Sequence, residues 1–222
     1  MKKRLDMGHK VLGISGSPIK DSNTDHLIKM VLQATEMGWD FIKLSELNIH
    51  PCNACKGCVS DNQCKQIDDW QGIADRVLGA RALVIGGYAP YGSLDARTKA
   101  FMERMYCFRH QKALSKGKLG VAVAVGINEG GIPGADRAAE QITHFMRMEQ
   151  MEVLGQVTAT GNVPCLSCGY GIDCPTSAIP WIFGKVDGIT EDMFKRVEDQ
   201  TEVAELAIRL GREIREHLHK QI

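Results

Sequence analysis

Short apolar runs alternate with stretches whose apolar residues recur every three to four positions, and this alternation predicts most of the elements. Residues 11–14 read as a buried strand ending in the turn Ser15-Gly16-Ser17-Pro18. Leu27, Ile28, Val31, Leu32 and Thr35 follow at helical spacing, with Ser22, Asn23, Thr24 and Asp25 as cap candidates and Gly38 as the stop. A strand is predicted over 39–44, and a helix over 68–78 on the strength of Ile73, Val77 and Leu78. Residues 81–87 predict a third strand. Residues 94–114 predict a helix whose inner face is Ala96, Ala100, Phe101, Met105 and Phe108. The strongest strand signal is 119–126, which opens into a glycine-rich loop running to Gly134. A helix over 135–148 and a strand over 152–158 come next. One long helix over 190–219 closes the pattern, with Glu191 and Asp192 in its first turn to complement the helix dipole.

Two stretches, 45–66 and 159–189, have no clear period. The element order, strands and helices alternating around these two insertions, predicts an α/β fold: one domain over 1–222 built on a doubly wound, five-stranded parallel sheet. In such sheets ligands bind outside the carboxyl ends of the strands, where the strand order reverses, so the loops after strands one, three and four should meet there.

Composition narrows the classes. The 222 residues are 44% apolar, and 27 Lys and Arg balance 27 Asp and Glu. Zero net charge argues against a nucleic-acid or anionic-membrane partner. No apolar run approaches the ~20 residues of a membrane span. The basic start, Met1-Lys2-Lys3-Arg4, lacks an apolar region after it and does not read as an export signal, so the expected location is cytoplasmic. Eight cysteines in a reducing compartment point to metal or redox chemistry before disulfides. Seven of them fall in the two aperiodic stretches.

The turn after the first strand is rich in hydroxyls and leads into a helix N-terminus. Ser15, Ser17, Ser22, Asn23 and Thr24 suit a phosphate together with backbone N–H groups. It lacks both the G-x-x-x-x-G-K-[ST] and the G-x-G-x-x-G spacings, which disfavours a P-loop or a dinucleotide site and leaves a phosphomonoester such as FMN. Cys52-x2-Cys55-x2-Cys58-x5-Cys64 puts four thiols in thirteen residues. That wrap suits an iron–sulfur cube; zinc more often uses two separated knuckles, and unligated thiols are the third reading. Cys165, Cys168 and Cys174 form a second set with three local ligands, open to a second cluster, a metal or a free-thiol loop. Cys107 lies on a helical face and reads as core, or as a fourth ligand for that second set. His26, His110 and His144 have no carboxylate or cysteine partner at ligand spacing, and no nucleophile elbow is visible.

Three motifs in order carry a resemblance. The hydroxyl-rich turn, then Pro90-Tyr91-Gly92-Ser93 ahead of Lys99-Ala100-Phe101-Met102-Glu103-Arg104, then the glycine pair Gly130 and Gly131, resemble the flavodoxin-like NADPH-dependent FMN reductases over residues 10–158. With the compact cysteine motif just after strand two, the chain resembles the iron–sulfur flavoproteins of anaerobic microbes. The resemblance implies a flavodoxin-like fold, FMN and one 4Fe–4S cluster per chain, and a homodimer or homotetramer. It implies that Ser15, Ser17, Ser22, Asn23 and Thr24 hold the phosphate, with Lys20 in place of the family's basic residue, since Ile19 follows Ser17-Pro18 directly. It implies that Pro90, Tyr91, Gly92, Ser93, Gly130 and Gly131 line the flavin ring, and that Cys52, Cys55, Cys58 and Cys64 bind iron. A ferredoxin-like donor would then reduce the cluster, which passes electrons through FMN to a small-molecule acceptor. Two rival expectations remain: an NAD(P)H-dependent flavin or quinone reductase with structural cysteines, and a non-catalytic metal-binding protein.

Overall fold

The computed structural model describes residues 10–128 and 134–220. Among these, five strands form one sheet: β1 (Val11–Ser15), β2 (Trp39–Lys43), β3 (Ala82–Tyr88), β4 (Leu119–Gly126) and β5 (Glu152–Thr160). Their order is β2-β1-β3-β4-β5 and every neighbouring pair is parallel. Parallel strands need crossovers, and α1 (Asn23–Ala34), α2 (Trp70–Gly79), α3 (Ala96–Arg104) and α4 (Gly134–Met148) lie in those connections. A short α5 (Ile179–Phe183) and a long α6 (Thr201–Lys220) follow β5.

The central strands are apolar along their whole length because both of their faces are covered. Leu12, Ile14, Leu83, Ile85 and Ala122 point to one layer, where Trp70, Phe101, Phe108 and Ile142 of α2, α3, the turn after α3, and α4 meet them. Val11, Ala82, Val84, Val121 and Val123 point to the other, against Leu27, Val31, Ile214 and Leu218 of α1 and α6. Each fully buried Val, Leu, Ile or Phe among them contributes roughly 1.5–3 kcal/mol. Helix α6 lies close on α1 because Gly211 has no side chain: a Cβ there would sit 2.3 Å from the Val31 carbonyl oxygen.

Two helices are shorter than their patterns predict. The helix expected over 94–114 ends at Arg104 and continues as a tight turn, Met105–Phe108. There the Asn62 amide donates to the carbonyls of Cys107 (2.9 Å) and His110 (2.6 Å), tying this turn from outside the helical ladder. The helix expected over 190–219 begins only at Thr201. The Lys195 backbone is claimed from outside: its N–H donates to Asn162 Oδ1 at 2.7 Å and its carbonyl accepts from the Asn23 and Asn162 amides. Gln200 further bridges to both backbone groups of Thr160. The segment between Glu46 and Trp70 holds neither helix nor strand. Among the described residues no helix is long and apolar enough to cross a membrane.

From β1 the chain steps to β2 on one side, then crosses to β3 on the other. The crevice between β1 and β3, at their carboxyl ends, is the switch point of the sheet.

Candidate functional site

At that switch point the turn after β1 is held from below. Ser15 Oγ donates to Asp25 Oδ1 at 2.5 Å, and the Ser17 and Ile19 amides donate to Ser15 Oγ and Ser17 Oγ. Ser22 caps α1 in a reciprocal box: Asp25 N–H donates to Ser22 Oγ, and Ser22 N–H donates to Asp25 Oδ2. Buried Asp25 is paired with Lys43 from the end of β2, whose Nζ reaches Asp25 Oδ2 at 2.5 Å and the Ile19 carbonyl at 2.6 Å. Thr24 is buried beside Asp25, whereas Lys20 is exposed. Asn23 turns its amide away, to the Lys195 carbonyl at 2.8 Å.

The loop after β3 packs directly on this turn. Asp95 is 1% exposed; it caps α3 by accepting from Thr98 N–H, and it also accepts from Thr98 Oγ1 and from Tyr88 N–H. The Gly16 backbone lies against this pair so closely that a Cβ would fall 1.9 Å from Thr98 Oγ1, so only glycine fits. Pro90, Tyr91 and Gly92 form a tight turn in which Tyr91 adopts a left-handed backbone (φ 52°) and points its ring fully into solvent. Such a conformation is uncommon for a bulky residue, and Tyr91 is the one aromatic among the nine non-glycine residues with a positive φ in the described chain. Ser93 Oγ and Leu94 N–H donate to Gln141 of α4, and Arg137 of α4 donates to the Gly92 carbonyl. On the β4 side, Asn128 accepts from the Ala135 N–H at the start of α4. Gly130 and Gly131 lie outside the described residues. The loops after β1, β3 and β4 therefore converge, with the hydroxyl turn on one side and the exposed tyrosine on the other.

The first cysteine set faces a different part of the molecule. Cys52, Cys55, Cys58 and Cys64 line one small pocket, and Cys107, Arg104 and Lys65 complete its wall. Arg104 is fully buried and grips Asp68, also fully buried, through two bonds of 2.5 and 3.0 Å. It also donates to the His50 carbonyl and lies over the Trp70 ring. Burial alone would raise the Asp68 pKa, but Arg104 and the His50 and Trp70 amides hold it below the usual carboxylate range. Burial, with the neighbouring thiols Cys64, Cys52 and Cys55, pushes Cys58 up. Burial, followed by Cys64 and Cys58, raises Cys107 to about 12.

Among the described residues no three His, Cys, Asp or Glu side chains are gathered tightly enough to hold a metal ion. A cube gives each thiolate its own iron and spreads the four sulfurs wider than a single ion does. The donor set suits such a group. It is all sulfur, it surrounds one pocket, and its wall carries an orphaned donor, the Arg104 Nε–H, which is buried with no hydrogen-bond partner. Bound iron would also reverse the reluctance of Cys58 to ionise.

The second set is arranged otherwise. Cys165 Sγ accepts from the Ala178 N–H, Cys168 donates to the Cys165 carbonyl, and Cys174 bonds the Thr176 hydroxyl. Cys107, a candidate partner for this set by sequence, lines the first pocket instead. Lys43, Asp95 and the Arg104–Asp68 pair escape sequence reasoning as site residues. The available signals were a lone lysine ending an apolar strand and an arginine ending an otherwise apolar helix face.

Known proteins resemble this chain in sequence and in fold. The family model for NADPH-dependent FMN reductase matches residues 9–163. An iron–sulfur flavoprotein of Methanocaldococcus jannaschii is 33% identical over 156 residues, covering 69% of this chain and 79% of that protein. One from Methanosarcina thermophila is 29% identical over 157 residues, covering 69% and 81%. Among solved structures, a flavodoxin from the domain Archaea superposes with a TM-score of 0.52 at 14% identity, covering 94% of this chain and 98% of that one.

Proposed function

Because the chain belongs to the NADPH-dependent FMN reductase family, and within it to the iron–sulfur flavoproteins, we propose that it is an electron-transfer protein of two sites, an FMN turn and a 4Fe–4S pocket. Family membership makes it a flavin-dependent oxidoreductase. When bound, the two groups supply the one- and two-electron chemistry that no side chain offers. The chain's own residues bind, orient and balance charge.

Ser15, Ser17, Ser22 and Thr24 hold the phosphate with the amides of the turn, and Asn23 and Lys20 stand at its rim. An unpaired Asp25 beneath that turn would repel the phosphate, and Lys43 cancels this repulsion. Pro90, Tyr91, Gly92 and Ser93, with Gly130 and Gly131, flank the ring, where the exposed Tyr91 side chain is free to stack. Cys52, Cys55, Cys58 and Cys64 bind iron as thiolates. The donor in this reading is ferredoxin-like, the acceptor is a small molecule, and the working assembly is a homodimer or homotetramer in the cytoplasm. Cys165, Cys168 and Cys174 hold a second cluster or metal only if further groups join them.

The observation that supports the reading most is the sharing of one pocket by Cys52, Cys55, Cys58 and Cys64 in a chain whose hydroxyl turn sits at the sheet's switch point. Iron, acid-labile sulfide and flavin counted per chain after anaerobic purification test it. About four irons and one flavin are expected. About eight irons would mean that the second set is filled too, and flavin without iron would sink the cluster half. Anaerobic mixing with NADPH alone separates the rival: prompt flavin bleaching favours direct hydride transfer from NADPH to the flavin.

A further inference from the structure

Arg104 is an expensive residue to bury. Its guanidinium has no solvent exposure and is shared between Asp68, the His50 carbonyl and the wall of the cysteine pocket. Asp68 neutralises its charge, and both terminal nitrogens are bonded. Its Nε–H is left without a hydrogen-bond partner, an unfavourable state for a buried donor until an acceptor arrives. Cys64 lines the same pocket wall, and its sulfur interacts with the guanidinium. Sulfur that ligates iron carries negative charge and accepts hydrogen bonds, and such bonds tune a cluster's potential.

We propose that Arg104 is a positioning and tuning residue for the iron–sulfur site, its Nε–H donating to the Cys64 sulfur once that sulfur ligates iron. Asp68 fixes the guanidinium so that this donor cannot turn away. A donor and a positive charge at the sulfur stabilise the more negative, reduced state and so raise the reduction potential. This inference rests on the cluster reading above.

The test is an anaerobic redox titration followed by EPR, with the flavin potential read in the same sample as a control. Arg104→Lys keeps a cation against Asp68 but has no Nε–H. Its cluster should be about tenfold harder to reduce, a fall of 59 mV for one electron, with the flavin unmoved. The double variant Asp68→Leu/Arg104→Met removes the pair without stranding a charge. It should shift the potential in the same direction and serves if Arg104→Lys fails to fold. A full iron complement with an unchanged cluster potential in either variant overturns the inference. Absence of iron from the parent protein overturns the underlying reading instead.

Discussion

Two segments of this chain carry local runs of cysteine, and they are built differently. The first, between β2 and α2, is tied to the core from afar. Arg104 of α3 clasps Asp68, and the Asn62 amide binds the carbonyls of Cys107 and His110. Its four thiols share one pocket with Cys107. The second, between β5 and α6, folds Val163, Leu166, Ile179 and Met193 into a small cluster, and its sulfurs bond to groups of the same segment. Both have C-x2-C spacing. Close spacing therefore offers ligands, and remote anchors gather them where they act beside the thiols, as Arg104 and Asn62 do; the remote ties of the second segment, Asn23 to Lys195 and His26 to Glu198, act on residues after its last cysteine.

Breaking the first segment should have the largest effect. Cys55→Ser is expected to abolish iron binding while FMN stays, measured as iron and flavin per chain; simultaneous loss of both would mean that the two sites are not separate. In cluster-free protein the second segment should also differ in thiol reactivity from Cys107, which shares the first segment's pocket. The Thr176 hydroxyl and amide hold the Cys174 pKa below the ordinary thiol value, so its thiolate fraction at neutral pH is enlarged. Cys107, at about 12 against an ordinary 9.0, has a thiolate fraction roughly a thousandfold below normal. Iodoacetamide followed by peptide mapping should therefore label Cys174 quickly and spare Cys107 below pH 10; equal labelling would contradict the geometry.

Next in size, Arg104→Met strands the Asp68 carboxylate and should cost about 3–5 kcal/mol, read from urea unfolding. A loss below about 1 kcal/mol would show that Arg104 does not anchor the segment. The smallest effect should come from the second segment. Cys168 is exposed, and Cys168→Ser should move stability by no more than about 0.5 kcal/mol and leave the iron count unchanged. A drop in iron there would erase the contrast between the two segments.

The sheet was legible in the chain because strands buried on both faces must be apolar throughout, as residues 11–14, 82–85 and 119–125 are. The hydroxyl turn and the first cysteine run were legible for a similar reason: their chemistry is packed into a few consecutive residues. Helix ends were less so. Periodicity carried α6 back to Thr190 and α3 on to Leu114, yet side-chain amides from Asn162, Asn23 and Asn62 claim the backbone there.

By itself the sequence determined the alternation of strands and helices, the hydroxyl-rich anion turn and the supply of thiols, all of which depend on residues close together in the chain. The pairing of Lys43 with Asp25, the wedge of Gly16 against Asp95 and Thr98, and the joining of Cys107 to the pocket of the first cysteine set were decided only by the tertiary structure. These contacts join residues 18 to 82 positions apart, and no local pattern encodes which buried charge meets which partner until the sheet brings their elements together.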